Sequence, residues 1–286
     1  MRYHPSQSGR RCELTPPKLA EAFCGPGDRG SMVCMRITVL GCSGSVSGPD
    51  SAASGYLLTA PGTPPVVMDF GPGVLGALQR YADPGEATIL LSHLHADHCL
   101  DMPGLLVWRR YHPNRPAGRA LVYGPADSAC RIGVASAECG GELDDISDTI
   151  DLRGWSDGQV VEIGELTVQA RQVNHPPESY GFRVTSANGR TLVYTGDTGM
   201  CESVVELARG ADILLSEASW THAADRPEGI HLSGTEAGQI AARAGVGELL
   251  LTHIPPWTSR EDVIAEAKAE FSGPVHAVSA GDVYVV

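Results

Sequence analysis

Long apolar runs are missing from this chain. Among its 286 residues, no apolar run approaches the roughly 18 residues that a membrane-spanning helix needs. Residues 1–34 also lack the apolar core of a secretory signal. We therefore expect a protein that does not associate with membranes and that resides in the cytoplasm.

Cysteine pairs are missing as well. The eight cysteines are scattered along the chain, and no two of them form a CxxC pair. Because zinc ribbons and disulfide scaffolds are built on closely spaced pairs, the sequence indicates neither of them. We expect reduced thiols, as is usual in the cytosol.

Basic residues are too few for a general nucleic-acid-binding protein. The chain has 21 lysines and arginines against 34 aspartates and glutamates, which gives a formal net charge of −13. Because contacts with phosphates supply most of the affinity for nucleic acids, such proteins usually carry the opposite balance. A local basic patch remains compatible with RNA, but the composition argues against a long RNA substrate.

The chain divides into a short N-terminal segment and one folded domain. Residues 1–34 are rich in Pro, Gly, Arg and Ser and show no sustained periodicity. We expect a disordered extension there, or a segment that results from an upstream start codon. From Met35 an apolar strand leads into a glycine turn, so we place the folded domain at 35–286.

Apolar strand-like segments alternate with helical segments along the folded domain. The predicted strands include 35–41, 56–59, 66–70, 87–91, 121–123, 166–173, 213–215 and 249–251. The predicted helices are 100–111, 126–137 and one that follows Gly73. Asn188-Gly189 predicts a hairpin turn, and the residues from Ser233 to Glu236 predict a capping box. Two strand-rich halves flanked by helices fit an α/β fold of four layers, an αββα sandwich.

The most distinctive stretch is 92–98, which holds three imidazoles and one carboxylate directly after an apolar run. Neutral imidazole nitrogens and carboxylate oxygens are ligands that suit zinc, manganese or iron. In an extended segment, His93 and His95 project to the same side. Asp97 and His98 then fall on a turn and can face a second point in space. Two diverging ligand pairs on one loop suggest two metal ions rather than one.

Three further candidate ligands stand where other apolar strands end. His175 precedes Pro176-Pro177, Asp197 follows a strand that closes with a glycine, and His253 ends the run 249–252. Any one of them, taken alone, would more often be a strand-end residue whose partner lies in a loop. Four such strand endings in one chain favour a shared site, and a two-metal site needs about seven or eight protein ligands and one bridging group.

These residues resemble the metal motifs of the metallo-β-lactamase superfamily. The resemblance covers nearly all of 35–286 and implies an αββα sandwich with a dinuclear site at one edge. The implied ligands of the first metal are His93, His95 and His175. The implied ligands of the second metal are Asp97, His98 and His253, with Asp197 bridging the two ions.

The resemblance also implies the cofactors and one supporting residue. We expect two divalent metal ions, Zn²⁺ first, with Mn²⁺ or Fe as alternatives because His/Asp sites accept all three. Asp69 matches the aspartate that orients ligand imidazoles in the superfamily. As a bare sequence feature, Asp69 is equally a turn residue.

His231, which precedes a capped and alanine-rich helix, resembles the extra histidine of one branch of the superfamily. That branch contains ribonuclease Z and small cyclic-nucleotide phosphodiesterases, in which the histidine assists phosphodiester cleavage. Two cations about 3.5–4 Å apart polarise a phosphoryl group and lower the pKa of a bridging water. A nearby imidazole can then protonate the leaving oxygen. We expect Asp97 and His231 to be catalytic, although His231 alone is also compatible with a residue that merely flanks a helix.

The short segment between His175 and Asp197 limits the range of expected substrates. Ribonuclease Z carries a basic, glycine-rich arm of several dozen residues there, whereas the predicted hairpin already fills 176–196. Asp101 also stands where the ribonucleases usually have a glycine. The motifs 41–45, 95–101, 217–222 and 253–257 instead resemble actinobacterial cyclic-nucleotide phosphodiesterases. This resemblance implies hydrolysis of cyclic AMP to 5′-AMP by attack of a metal-bound hydroxide.

Two alternatives stay open at this point. One is a ribonuclease Z-like endoribonuclease that lacks the tRNA-binding arm. The other is a non-catalytic, metal-binding regulatory protein, against which the complete set of seven ligands argues. The expected partner is a small cyclic nucleotide, and the resemblance is compatible with a homodimer.

Overall fold

The structure, a computed structural model, describes residues 34–114, 116 and 118–286. The expected N-terminal extension, 1–34, lies outside the described residues except for Cys34. Within the described part of the chain, no helix is long and apolar enough to cross a membrane.

Two seven-stranded sheets form the centre of the described fold. The strands of the first sheet are β1 Arg36–Gly41, β2 Gly55–Thr59, β3 Val66–Met68, β4 Thr88–Leu90, β5 Ala120–Gly124, β6 Ile150–Gly154 and β14 Val283–Val285. The strands of the second sheet are β7 Val160–Ile163, β8 Leu166–Gln172, β9 Tyr180–Ser186, β10 Thr191–Tyr194, β11 Ile213–Glu217, β12 Glu248–Thr252 and β13 Val275–Ala277. Their spatial orders are β14-β1-β2-β3-β4-β5-β6 and β13-β12-β11-β10-β9-β8-β7.

Helices lie between the strands along the chain. The α-helices of the described residues are α1 Val74–Leu78, α2 Ala96–Cys99, α3 Met102–Tyr111, α4 Ser128–Ser136, α5 Glu202–Ala208, α6 Gly234–Ala244 and α7 Arg260–Glu270. Short 3₁₀ turns occupy Pro84–Glu86 and Ile146–Asp148.

Apolar side chains on both faces of each sheet build three buried layers. Along β2, Tyr56 and Leu58 pack between the two sheets, whereas Leu57 packs against the helices outside, as the two-residue period of a strand requires. Helix α3 covers the outer face of the first sheet through Leu105, and α6 covers that of the second sheet through Ile240. The predicted four-layer αββα sandwich is therefore confirmed.

Two local predictions are also confirmed. Strands β9 and β10 pair antiparallel across the predicted Asn188-Gly189 turn. Ser233 caps α6, because its hydroxyl accepts the N–H of Glu236 while the Glu236 carboxylate accepts the N–H of Ser233.

Two segments differ from the sequence prediction, one after β4 and the other at the end of β3. Asp97 and His98 lie on the short helix α2 rather than on a turn, and α3 begins only at Met102. Strand β3 ends at Met68, because Asp69 has a φ of 59° and turns the chain out of the sheet. Both differences redirect side chains towards the edge of the sandwich.

Parallel pairing explains why polar residues collect at one edge. Strands β3 and β4 are parallel, as are β10, β11 and β12. Parallel neighbours place their carboxyl ends at the same edge of a sheet. The candidate site residues follow these ends, with Asp69 after β3, 92–98 after β4, Asp197 after β10 and His253 after β12.

Candidate metal centre

Three imidazoles and one carboxylate form a first cluster. His95 Nδ1 lies 3.1 Å from His93 Nε2 and 3.1 Å from His175 Nε2. Asp197 Oδ2 lies 3.6 Å from His93 Nε2. Ligands of a tetrahedral ion with bonds of 2.0–2.1 Å lie about 3.3 Å apart, so the nitrogens have the spacing of a ligand set.

A second cluster stands beside the first. His253 Nε2 lies 3.1 Å from His98 Nε2 and 3.0 Å from Asp97 Oδ2. Asp197 Oδ2 is 3.3 Å from His98 Nε2 and 3.4 Å from His253 Nε2. The same oxygen of Asp197 therefore faces both clusters, which is the position of a bridging ligand. The structure thus brings all seven candidate ligands together.

The donor set fits divalent cations. Among the described residues, Asp197 Oδ1 is buried and has no hydrogen-bond partner. An unpaired buried carboxylate oxygen is costly, and a cation at this point would satisfy it. Burial also lowers the pKa of His93 well below its ordinary value and lowers the pKa of His175. Both imidazoles are therefore neutral, which is the form that binds metal ions.

Unusual backbone conformations orient two of the candidate ligands, His253 and Asp197. His253 has a φ of 54°, and Gly196, directly before Asp197, has a φ of 58°. A side chain at Gly196 would place its Cβ 2.7 Å from the carbonyl oxygen of Tyr180. Only glycine therefore allows β10 to turn this closely and present Asp197 to the clusters.

The outer nitrogens of the clustered imidazoles have their own partners. His98 Nδ1 donates to Asp69 Oδ2 at 2.8 Å, and His175 Nδ1 donates to the carbonyl oxygen of Ile230 at 2.6 Å. Such contacts orient a ring and leave its other nitrogen free to bind a metal. Asp69, which the sequence left open as a turn residue, is fully buried and lies in direct contact with His98.

His231 lies beside the clusters and is paired with a buried carboxylate. Its ring centre is 5.2 Å from that of His175 and 5.4 Å from that of His253. Its Nδ1 donates to Glu217 Oε1 at 3.0 Å. Burial disfavours the charged ring, but the Glu217 carboxylate outweighs this effect and raises the pKa of His231 to about 9. His231 is therefore partly buried, and the contact with Glu217 fixes the orientation of its ring.

A cavity of about 550 Å³ opens beside His231. Its wall includes Asn174, Met200, Ala223 and Arg226. The volume lies within the range of about 300–1,000 Å³ that is typical of small-ligand sites. The cavity therefore offers room for a small ligand beside His231.

Two tryptophans lie in the sequence where they could stack on a purine or pack beneath the rim of the site. Trp257 is 67 % exposed and thus is not packed beneath the rim. The rings of Trp220 and His231 lie edge to face with their centres 5.2 Å apart, and the guanidinium of Arg226 lies over the Trp220 ring at 5.8 Å. Trp220 therefore packs against His231, and Arg226 covers one face of its indole ring.

Glu217 is a further residue of the site, and it is not among the candidates named from the sequence. It is a fully buried carboxylate at the end of the apolar strand β11, and it also accepts the N–H of Thr198 at 2.6 Å. The signal that drew attention to Asp197 and His253, a polar residue at the end of an apolar strand, was present at Glu217 too. Ser92 and Ser219, whose hydroxyls contact His93 and His253, carried no comparable signal.

Comparison with known proteins gives consistent results. Residues 66–254 match the family model described as the beta-lactamase superfamily domain. An uncharacterized protein of Mycobacterium leprae is 67% identical over 265 residues, which cover 92% of this chain and 93% of that protein. The probable metallo-hydrolase YhfI of Bacillus subtilis is 31% identical over 252 residues, covering 87% of this chain and 99% of YhfI.

The chain is also similar to a solved crystal structure and to a ribonuclease. The crystal structure of YhfI from Bacillus subtilis has a TM-score of 0.75 and 29% identity, with 89% of this chain and 100% of that chain covered. Ribonuclease Z of Mycobacterium bovis is 29% identical over 267 residues, covering 84% of this chain and 94% of the ribonuclease.

Proposed function

This chain belongs to the metallo-β-lactamase superfamily of hydrolases, and on that premise we propose that it hydrolyses 3′,5′-cyclic nucleotides, converting cyclic AMP to 5′-AMP. The observation that carries the proposal is the His231–Glu217 pair beside two metal-binding clusters. Phosphodiester cleavage needs a proton for the leaving oxygen, and this pair would supply it.

Two divalent cations, Zn²⁺ in the first instance, would be held by the residues of the two clusters. His93, His95 and His175 would hold the first ion, while Asp97, His98 and His253 would hold the second, with Asp197 shared. Such a pair of cations supplies Lewis acidity towards a phosphoryl oxygen and an activated water.

Asp97 and His231 would handle the protons of the reaction. Water adds to phosphorus, the bond between phosphorus and O3′ breaks, and the products gain one proton on O3′. His231 would donate that proton from Nε2, since its Nδ1 is bound to Glu217. The Asp97 carboxylate, which presents Oδ2 to the second cluster, would accept the proton that the attacking water loses.

The size of the accessible site favours a small substrate. Residues 176–196 are fully described and contain only a short turn and the β9–β10 hairpin, which leaves no segment for an RNA-binding arm. The cavity beside His231 has room for a nucleoside. The net charge of −13 further disfavours a long polyanionic substrate.

One experiment separates this proposal from its alternatives. A single preparation is assayed on cyclic AMP and on a precursor transfer RNA, with Asp97→Ala as the control for contaminating activity. We expect turnover of cyclic AMP that Asp97→Ala abolishes. Cleavage of the RNA alone would establish the endoribonuclease, an alternative that the similarity to ribonuclease Z supports. No turnover of either substrate by metal-loaded protein would indicate the non-catalytic regulatory protein.

A further inference from the structure

Asp69 is a buried carboxylate surrounded by hydrogen-bond donors. Its Oδ2 lies 2.7 Å from Ser92 Oγ, 2.7 Å from the Tyr194 hydroxyl and 2.8 Å from His98 Nδ1. The Ser92 N–H also donates to Asp69 Oδ1 at 2.7 Å. Ser92 Oγ donates its one hydroxyl hydrogen to Asp69 Oδ2.

The orientation of the Ser92 hydroxyl determines where His93 carries its proton. Ser92 Oγ lies 3.1 Å from His93 Nδ1. Because the hydrogen of Ser92 is already used, its oxygen can only accept from this nitrogen. His93 is therefore held with its hydrogen on Nδ1, and its Nε2 lone pair faces the first cluster.

Glu217 anchors a second network of the same kind. Ser219 Oγ lies 2.9 Å from Glu217 Oε2 and 3.1 Å from the carbonyl oxygen of His253, and both of these atoms are acceptors. Whichever of them takes the hydroxyl hydrogen, Ser219 Oγ must accept from His253 Nδ1 at 2.9 Å. His253 is thereby held with its Nε2 lone pair towards the second cluster.

We propose that Ser92 and Ser219 are positioning residues that each connect one buried carboxylate to one metal ligand. Ser92 would strengthen binding of the first ion by orienting His93, and Ser219 would strengthen binding of the second ion by orienting His253. The inference rests on the proposed metal centre, and it gives the serines roles that the ligand set alone does not contain.

Burial makes each serine hard to replace. Both side chains are fully buried, so water has little access to the position of a lost hydroxyl. Substitution by alanine would leave the Nδ1 hydrogen of the ligand without an acceptor, which favours other ring protonation states and orientations. The two clusters share Asp197 as a ligand, and Asp69 contacts both Ser92 and His98, but each serine itself contacts a ligand of only one cluster, so the larger effect of each substitution should fall on that cluster.

The test measures Zn²⁺ binding by calorimetry to chelator-treated protein in two backgrounds. His253→Ala leaves only the first cluster complete, and His175→Ala leaves only the second. In the first background we expect Ser92→Ala to weaken Zn²⁺ binding by about 10–100-fold and Ser219→Ala to change it by less than about threefold. In the second background we expect the reverse, with Ser219→Ala weakening Zn²⁺ binding and Ser92→Ala changing it little.

A matched control and a second readout keep the test decisive. Ser128→Ala removes another buried hydroxyl, whose hydrogen bond of 2.7 Å goes to the carbonyl oxygen of Pro125, and it should leave Zn²⁺ binding unchanged. In the zinc-loaded chain that retains both clusters, NMR should show the Nδ1–H signals of His93 and His253. Ser92→Ala should alter the former and Ser219→Ala the latter, whether or not the single-cluster backgrounds fold.

The possible outcomes distinguish the inference from the proposed function. Weakening of both sites by either serine variant, or no weakening with unchanged NMR signals, would overturn the two roles while leaving the metal centre intact. Wild-type protein that binds fewer than two Zn²⁺ ions would instead contradict the dinuclear centre itself, and the inference with it.

Discussion

His231 Nδ1 donates a hydrogen bond of 3.0 Å to Glu217 Oε1, and the carboxylate is fully buried. The pair resembles the carboxylate–histidine pair of a catalytic triad, in which the carboxylate fixes the ring and stabilises its protonated form. His231 lies outside the first and second clusters, so its replacement should affect proton transfer more than the binding of metal ions, whereas Glu217 also reaches the ligand His253 through Ser219.

Replacement of His231 by alanine should lower kcat for cyclic AMP by about 10²–10⁴-fold, the usual contribution of a general acid. The leaving O3′ alkoxide is a strong base and needs the proton. Bis(4-nitrophenyl) phosphate has a leaving group that departs without protonation, so its turnover should fall much less. Steady-state kinetics on both substrates, with metal content measured on the same samples, checks this prediction. Equal losses on both substrates would contradict a role as acid.

Replacement of Glu217 by glutamine should shift the pH dependence of activity. The Glu217 carboxylate raises the pKa of His231 to about 9, so a neutral amide lets that pKa fall. An acid is active only while it is protonated, and the alkaline limb of the kcat profile should therefore move to lower pH. Profiles of kcat between pH 6 and about 10 measure the shift. Glu270→Gln, on the exposed end of α7, is the control and should leave the limb in place.

Filling the cavity beside His231 should weaken substrate binding. Ala223 is exposed and lines this cavity, so Ala223→Trp would occupy part of its volume without disturbing the core. We expect KM for cyclic AMP to rise by about tenfold, the equivalent of about 1.4 kcal/mol, with a smaller change in kcat. Ala135→Trp, on the exposed face of α4, is the matched control. An unchanged KM in Ala223→Trp would place the nucleoside elsewhere.

Removal of metal ions should destabilise the fold. Seven imidazoles and carboxylates converge at the centre, and binding of ions to the folded state alone stabilises it by about 2.7 kcal/mol per site at a hundredfold excess over Kd. Thermal unfolding with and without a chelator should therefore show a lower Tm in the chelated sample. Restoration of the Tm by added Zn²⁺ is the control, and an unchanged Tm would contradict occupancy of the site.

The architecture is predictable from the sequence because its signals are local. Apolar strands that end in single polar residues indicate His175, Asp197 and His253 as candidate ligands. Parallel strands place such residues at one edge of a sheet, so the order of strands along the chain already implies that they lie close together. The hairpin turn and the capping box are equally local and are predictable for the same reason.

Other parts of the site depend on distant partners. The helix that carries Asp97 and His98 is only four residues long, which is too short to show helical periodicity. The hydroxyl of Ser219 lies against a histidine 34 positions later, and Asp69 meets the hydroxyl of Tyr194 across 125 positions. A serine or a tyrosine in a sequence does not indicate such a partner. The contact of Ser219 exists only after β11 has paired with β12, and that of Asp69 only after the two sheets have packed.

The ligands of each cluster come from both halves of the sandwich. His93, His95, Asp97 and His98 follow β4 of the first sheet, while His175, Asp197 and His253 follow strands of the second. Neither half alone contains a complete ligand set, so uptake of an ion must come late in folding, after long-range docking. The rate of metal incorporation into refolding protein should therefore report when the two halves come together.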